Sequence, residues 1–137
     1  MAIDYLRSSI SNGNVREQAL IRRWWHEQHA ARGMIVWEYR LDGLYADAIW
    51  FPGVPGSGSE EPGRKTASRF PLAGREIVLC EAKVELNPEL IGQALVYNWY
   101  ASQAGAVVRD VFIFVESDPY ERRHAARALG LKVVVAE

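Results

Sequence analysis

Arg75-Glu76-Ile77-Val78-Leu79-Cys80-Glu81-Ala82-Lys83 reads as one strand whose apolar run, Ile77 to Cys80, ends in an acid and an amine one position apart. Side chains alternate faces along a strand, so Glu81 and Lys83 project to the same side, roughly 6 to 7 Å apart, with Ala82 on the other. Such a pair is either a solvated ion pair or part of a catalytic constellation. The tripeptide alone does not decide between them: with 17 acids and three lysines in 137 residues, about 0.4 acid-x-Lys matches arise by chance. A second carboxylate on a neighbouring strand does decide, because a divalent ion that polarises a phosphodiester takes several oxygen ligands. Asp47 supplies it.

Upstream, Met34 to Leu41 reads as a strand, Asp42-Gly43 as a two-residue hairpin turn and Leu44 to Phe51 as the return strand. Alternation places Tyr45, Asp47 and Ile49 on one face and Ala46, Ala48 and Trp50 on the other. An aspartate inside such a strand is poor in propensity and expensive to bury without a partner or a metal. Asp42, by contrast, is accounted for by its turn. Before the hairpin, Ser11-Asn12-Gly13-Asn14 marks a helix start, Asn14 and Glu17 fit a capping box, and the helix is expected to reach about Arg32 with Gly33 as its stop. Leu20, Ile21, Trp24, Trp25 and Gln28 recur at helical spacing as its buried stripe, so the paired tryptophans read as core rather than as base-stacking platforms. Glu17, one turn before Leu20 and Ile21, either caps the helix or points toward the sheet edge.

Pro52 to Gly74 holds four prolines and five glycines without hydrophobic periodicity, and reads as a long mobile loop inside one domain. Its second half carries Arg64, Lys65 and Arg69, with Arg75 just beyond, which either contact phosphates or are merely solvated. After the central strand, Asn87-Pro88-Glu89 spells a helix start, and the helix runs to about Ala104. Ile91, Ala94, Leu95, Asn98, Trp99 and Ser102 form one stripe, with Gln93, Tyr97 and Tyr100 on an adjacent face. Gln93, ten residues after Lys83, is placed to reach back over the strand end. Val111 to Val115 is a short apolar strand, Asp118-Pro119-Tyr120-Glu121 opens a third helix with Arg122, Arg123 and Arg127 facing outward, and Leu131 to Ala136 is a last strand.

The length suits a single α/β domain over 1–137, and a 49% hydrophobic composition suffices for a core without disulfides. The one cysteine, Cys80, lies in the apolar strand and reads as a small buried hydrophobe. No signal peptide is read in residues 1–11 and no apolar run approaches ~20 residues, so a soluble, cytoplasmic protein without a membrane partner is expected. The net charge of -1 does not announce a nucleic-acid binder in bulk, so any phosphate contact must be local. The order helix, strand, strand, strand, helix, strand, helix, strand implies a mixed central sheet flanked by helices.

Taken together, Glu17 on a leading helix, Asp47 on the second strand of a hairpin, Glu81-Ala82-Lys83 at a strand end and Ile91-Gly92-Gln93 followed by Tyr97 on the next helix resemble the PD-(D/E)xK, or restriction-endonuclease-like, nuclease superfamily. The resemblance covers nearly the whole chain and implies an αβββαβ core with an added C-terminal helix and strand. It implies a magnesium (or manganese) site on Asp47 and Glu81, with the backbone carbonyl after Glu81 as a further ligand and Glu17 holding a metal-bound water or a second ion. Lys83 would orient the attacking water or steady charge on the phosphate, Gln93 would position a ligand, and Arg64, Lys65, Arg69 and Tyr97 would contact nucleic acid. The implied activity is magnesium-dependent DNA endonuclease cleavage in repair or recombination, with RNA left open. Tyr45-Ala46 stands where the superfamily's proline would precede the aspartate. With no separate DNA-reading domain, a homodimer that cuts two strands or recognises branched DNA by shape is expected. The competing readings are a nuclease-fold DNA-binding or assembly module that does not cut, and a small interaction domain in which Glu81 and Lys83 are merely paired.

Overall fold

The computed structural model describes residues 12–41, 43–56, 58–63, 71–117 and 120–136. In chain order they form α1 (Asn12–His29), β1 (Met34–Leu41), β2 (Leu44–Phe51), β3 (Ser59–Pro62), β4 (Glu76–Ala82), α2 (Pro88–Gln103), β5 (Val107–Val115), α3 (Tyr120–Ala128) and β6 (Lys132–Val135). The Asp-Gly signal is answered by an antiparallel β1–β2 hairpin in which Leu41 faces Leu44 and Met34 faces Phe51. Gly43 takes the left-handed φ of 82° that such a turn requires, while Asp42 lies outside the described residues. β2 pairs antiparallel with β4. β4 to β5 and β5 to β6 are parallel pairs connected through α2 and α3. The result is a mixed six-stranded sheet in the order β3-β1-β2-β4-β5-β6, an α/β architecture with three helices.

The helices divide between the two faces. Ile21, Trp24 and Trp25 of α1 pack with Ile35, Ala48, Trp50, Val78, Cys80 and Phe114. On the other face Leu90, Ile91, Ala94, Tyr97 and Ala101 of α2, and Ala126 of α3, pack with Val36, Ile49, Leu79 and Ile113. The central strands β4 and β5 are therefore covered on both sides, which is why they read as continuous apolar runs.

Several expectations are corrected. α1 stops at His29 rather than Arg32, and Ala30 and Ala31 both turn left-handed at φ 51°. The chain leaves the helix early because the Arg32 carbonyl is needed elsewhere: it accepts the indole N–H groups of Trp25 at 3.0 Å and Trp50 at 2.6 Å. Gly33 follows in a position where a Cβ would run into the Phe51 carbonyl. Gln28 is exposed, so the buried stripe is narrower than its periodicity suggested.

The stretch 52–74 is not structureless throughout, because Ser59–Pro62 adds a parallel edge strand to β1. Glu60 secures it, accepting hydrogen bonds from the Trp37 indole at 2.8 Å and Arg22 Nε at 3.0 Å, while the Arg22 guanidinium lies over the Trp37 ring. Two acids and a proline at an edge are what discourage further pairing there. β5 begins at Val107, four residues before the apolar run, and its polar first half is tied by Arg109 to Glu76 and by Lys132 to Asp110. On α2 the buried set is Leu90, Ile91, Ala94, Tyr97 and Ala101, leaving Trp99 59% exposed instead of inward. Arg122 turns back to donate to the Leu86 carbonyl at 2.9 Å. No helix among the described residues is long and apolar enough to cross a membrane.

Trp24 is buried, with ring neighbours Phe112, Phe114 and Trp50 at 4.8, 5.0 and 5.7 Å. Trp24→Ala is expected to lower stability by about 3 to 5 kcal/mol in urea unfolding. A loss below about 1 kcal/mol would place Trp24 outside the core.

Candidate active site

The site forms where one ladder skips a pair and its neighbour ends. Along the β1–β2 hairpin every residue from Met34 to Leu41 has a partner except Glu38, which would stand opposite Asp47. Glu38 holds a left-handed φ of 53°, an unusual state for a residue within a strand, costing about 1 kcal/mol or more. Both strands change face there. Met34 and Val36, then Tyr39 and Leu41, pack on the α2 side, and so do Phe51 and Ile49, then Ala46. The alternation expected for β2 therefore fails between Ile49 and Ala46, and Ala46 joins Ile49 rather than Ala48. Gly63 lies so close to the Glu38 carbonyl that a Cβ there would clash with it, so the irregularity is packed in place.

On the other side of β2, pairing with β4 ends at Ala48 and Cys80, one residue short of Asp47 and Glu81. Two reciprocal hydrogen bonds close this gap. The Asp47 N–H donates to Glu81 Oε1 at 3.1 Å, and the Ala82 N–H donates to Asp47 Oδ2 at 2.8 Å. Each strand thus offers a backbone amide to the other strand's carboxylate, and the two carboxyl groups come within side-chain hydrogen-bonding reach of one another. Glu81, only 2% exposed, is the one buried charged residue among the described residues.

Burial raises the pKa of both acids. For Asp47 the Ala82 amide, the Glu81 hydrogen bond and the charge of Lys83 act against that rise, while Glu81 is pushed well above the ordinary range by burial and then by the charge of Asp47. Lys83, half-buried just past the end of β4, is anchored by its own N–H to the Phe114 carbonyl at 2.9 Å. Glu17 faces the same cluster from α1: burial raises its pKa, the charge of Lys83 lowers it and that of Asp47 raises it. Asn14, the other half of the expected capping box, has no described side chain.

From the opposite face Tyr97 closes the site. Its hydroxyl is pushed up to about 12 by burial and by the charges of Glu81 and Asp47, so it stays protonated as a donor. It is 7% exposed, a wall of the site rather than an open stacking surface. Gln93, one turn earlier and half-exposed, lies 3.5 Å from Glu89 on its own helix, a marginal hydrogen-bonding distance. Arg64, Lys65 and Arg69 lie outside the described residues. Asp47, Glu81, Lys83, Glu17 and Tyr97 are therefore brought together, and Gln93 stands beside them. Glu38 was missed, because nothing in its residue type announces a left-handed conformation.

Among the described residues no group of three or more His, Cys, Asp or Glu side chains converges as a ready-made metal cage. The donors are two carboxylates and neighbouring backbone carbonyls, hard oxygens of the kind magnesium and manganese take while keeping several waters. Cys80 contributes no soft ligand, being packed on the α1 face. No family model, curated protein or solved structure matches this chain.

The raised pKa values have a stability consequence. A carboxyl whose folded pKa exceeds its unfolded value contributes stability that is fully present below the unfolded pKa, near the ordinary aspartate and glutamate values of 3.8 and 4.5, and lost as pH rises through the folded value. Glu81→Gln keeps an oxygen for the Asp47 amide and removes the charge. In chelator at pH 8 it is expected to melt a few °C above the unaltered protein, and the difference should shrink toward pH 4. A lower melting temperature at pH 8 would contradict the assignment.

Proposed function

We propose that this chain is a magnesium- or manganese-dependent DNA endonuclease with a restriction-endonuclease-like αβββαβ core, elaborated by β3 at one edge and by α3 and β6 at the other. The observation that carries the reading is the pairing of the partly buried Asp47 with the buried Glu81 at the opening between β2 and β4, with Lys83 and Glu17 beside it. Two neighbouring carboxyl groups whose burial raises both pKa values, Glu81 further still by the charge of Asp47, are poorly placed as structural acids. They suit a site in which a cation supplies the missing positive charge.

Asp47, Glu81 and the Ala82 carbonyl would hold the ion, with Glu17 as an outer ligand through water. When bound, the ion would supply Lewis-acid polarisation of the phosphodiester and acidify a water. The protein's own groups do the rest. Lys83 places an ammonium beside the carboxylates, where it orients the attacking water and balances charge developing on phosphorus. Tyr97 keeps its proton and supplies a hydrogen-bond donor at the α2 wall. The α1 and α2 faces restrict water on both sides of the strand ends. With one such site among the described residues of each chain, a homodimer is the form that cuts both strands of a duplex.

The test is cleavage of supercoiled plasmid and of a panel of branched, single-stranded and RNA substrates with magnesium or manganese. The unaltered protein is compared with Asp47→Ala and Lys83→Ala. Metal-dependent cutting is expected, falling by at least about a hundredfold in both variants while Lys83→Ala keeps its fold by circular dichroism. Full activity in Lys83→Ala would overturn the mechanism. Binding of DNA without cutting any substrate would identify a non-catalytic module.

A further inference from the structure

On the surface turn of α1 next to Glu17, Arg16 makes a two-pronged ion pair with Glu116: Nε reaches Oε1 at 2.7 Å and Nη2 reaches Oε2 at 2.5 Å. Glu116 is fixed by its backbone, whose N–H donates to the Val84 carbonyl at 2.9 Å, one residue past Lys83. Lys83 itself is anchored to Phe114, two residues before Glu116. The guanidinium is thereby placed on the rim of the site, joined through Glu17 on one side and the Lys83-Val84 segment on the other.

The geometry of the pair is asymmetric. Glu116 occupies the edge of the guanidinium formed by Nε and Nη2, and is itself only 24% exposed. The opposite edge, formed by Nη1 and the outer hydrogen of Nη2, carries no hydrogen bond to a described residue, and the Arg16 side chain is 62% exposed. As a strut, an ion pair this exposed contributes little stability. As a pre-oriented fork, it presents two parallel N–H donors of fixed spacing, matched to the two non-bridging oxygens of a phosphodiester.

We infer that Arg16, held in orientation by Glu116, is a binding residue for a backbone phosphate of the DNA strand flanking the one that is cut. The inference rests on the nuclease reading and adds to it the contact that sets the strand's register over Lys83. Arg16 orders the substrate and takes no part in the bond-breaking step, while Glu116 is a positioning residue acting through Arg16.

Fluorescence anisotropy of a labelled DNA duplex in calcium, across a sodium chloride series, tests this. Arg16→Ala is expected to weaken binding about tenfold and to lower the slope of log affinity against log salt by about one phosphate contact. Arg16→Lys should keep the slope while losing part of the affinity, because an ammonium lacks the fork. Glu116→Gln should keep the slope and lose less than Arg16→Ala. A merely structural pair would shift melting temperature and leave the salt slope unchanged. Wild-type affinity and slope in Arg16→Ala overturn the inference alone, and tighter binding by Glu116→Gln overturns the orienting role of Glu116. Failure of the unaltered protein to bind duplex, branched or single-stranded nucleic acid overturns the nuclease reading along with it.

Discussion

Two carboxyl groups that cannot comfortably both be charged govern the centre of this structure. Asp47, in the middle of β2, and Glu81, near the end of β4, stand side by side, Glu81 buried and Asp47 partly so, between α1 on one side and α2 on the other. Their remaining partners are two backbone amides and one lysine. Each amide–carboxylate bond satisfies part of the burial, but neither neutralises the charge. Without a cation the pair is relieved by holding a proton, and the raised pKa values express that. The same arrangement is a liability for a purely structural protein and an asset for one that must gather positive charge against a phosphate.

The break in the sheet makes the arrangement available. Had the β2–β4 ladder continued, the Asp47 and Ala82 amides would have been committed to main-chain carbonyls. The end of pairing at Ala48 and Cys80, beside the left-handed turn at Glu38, frees them, and the carboxylates fill the gap. The rest of the fold supports this opening. Arg32 gathers the Trp25 and Trp50 indoles beneath α1, and Glu60 pins the edge strand to Arg22 and Trp37, so the hairpin is held from two directions while its middle departs from regular pairing at Glu38. Strain at Glu38 is thus compensated by packing that does not itself touch the carboxylates.

Much of this was legible in the chain. The Asp-Gly turn, the apolar run ending at Cys80 and the Asn-Pro-Glu helix start each carry local chemistry that admits few structures, and β1, β2, β4 and α2 formed where those signals placed them. Asp47 stood out because an acid inside a strand needs a reason. Features decided by tertiary contacts were not legible. Ser59–Pro62 has no strand pattern and forms because Glu60 finds Trp37 and Arg22. The α2 stripe was misassigned by one row because Leu90 and Tyr97, not Trp99, meet the sheet. The reversal of faces at Glu38 and Asp47 has no residue-level signature, since both strands switch together and each looks regular when read alone.

The central claim is that the Asp47–Glu81 pair is a cation site whose charge is deferred until the ion arrives. Calorimetric titration of manganese into the protein at pH 7, repeated in two buffers of different ionisation enthalpy, tests it most directly. The account predicts saturable binding accompanied by release of a fraction of a proton, up to about one per ion, with both signals lost in Asp47→Asn. Binding that survives Asp47→Asn unchanged, or no binding at millimolar manganese, would contradict it.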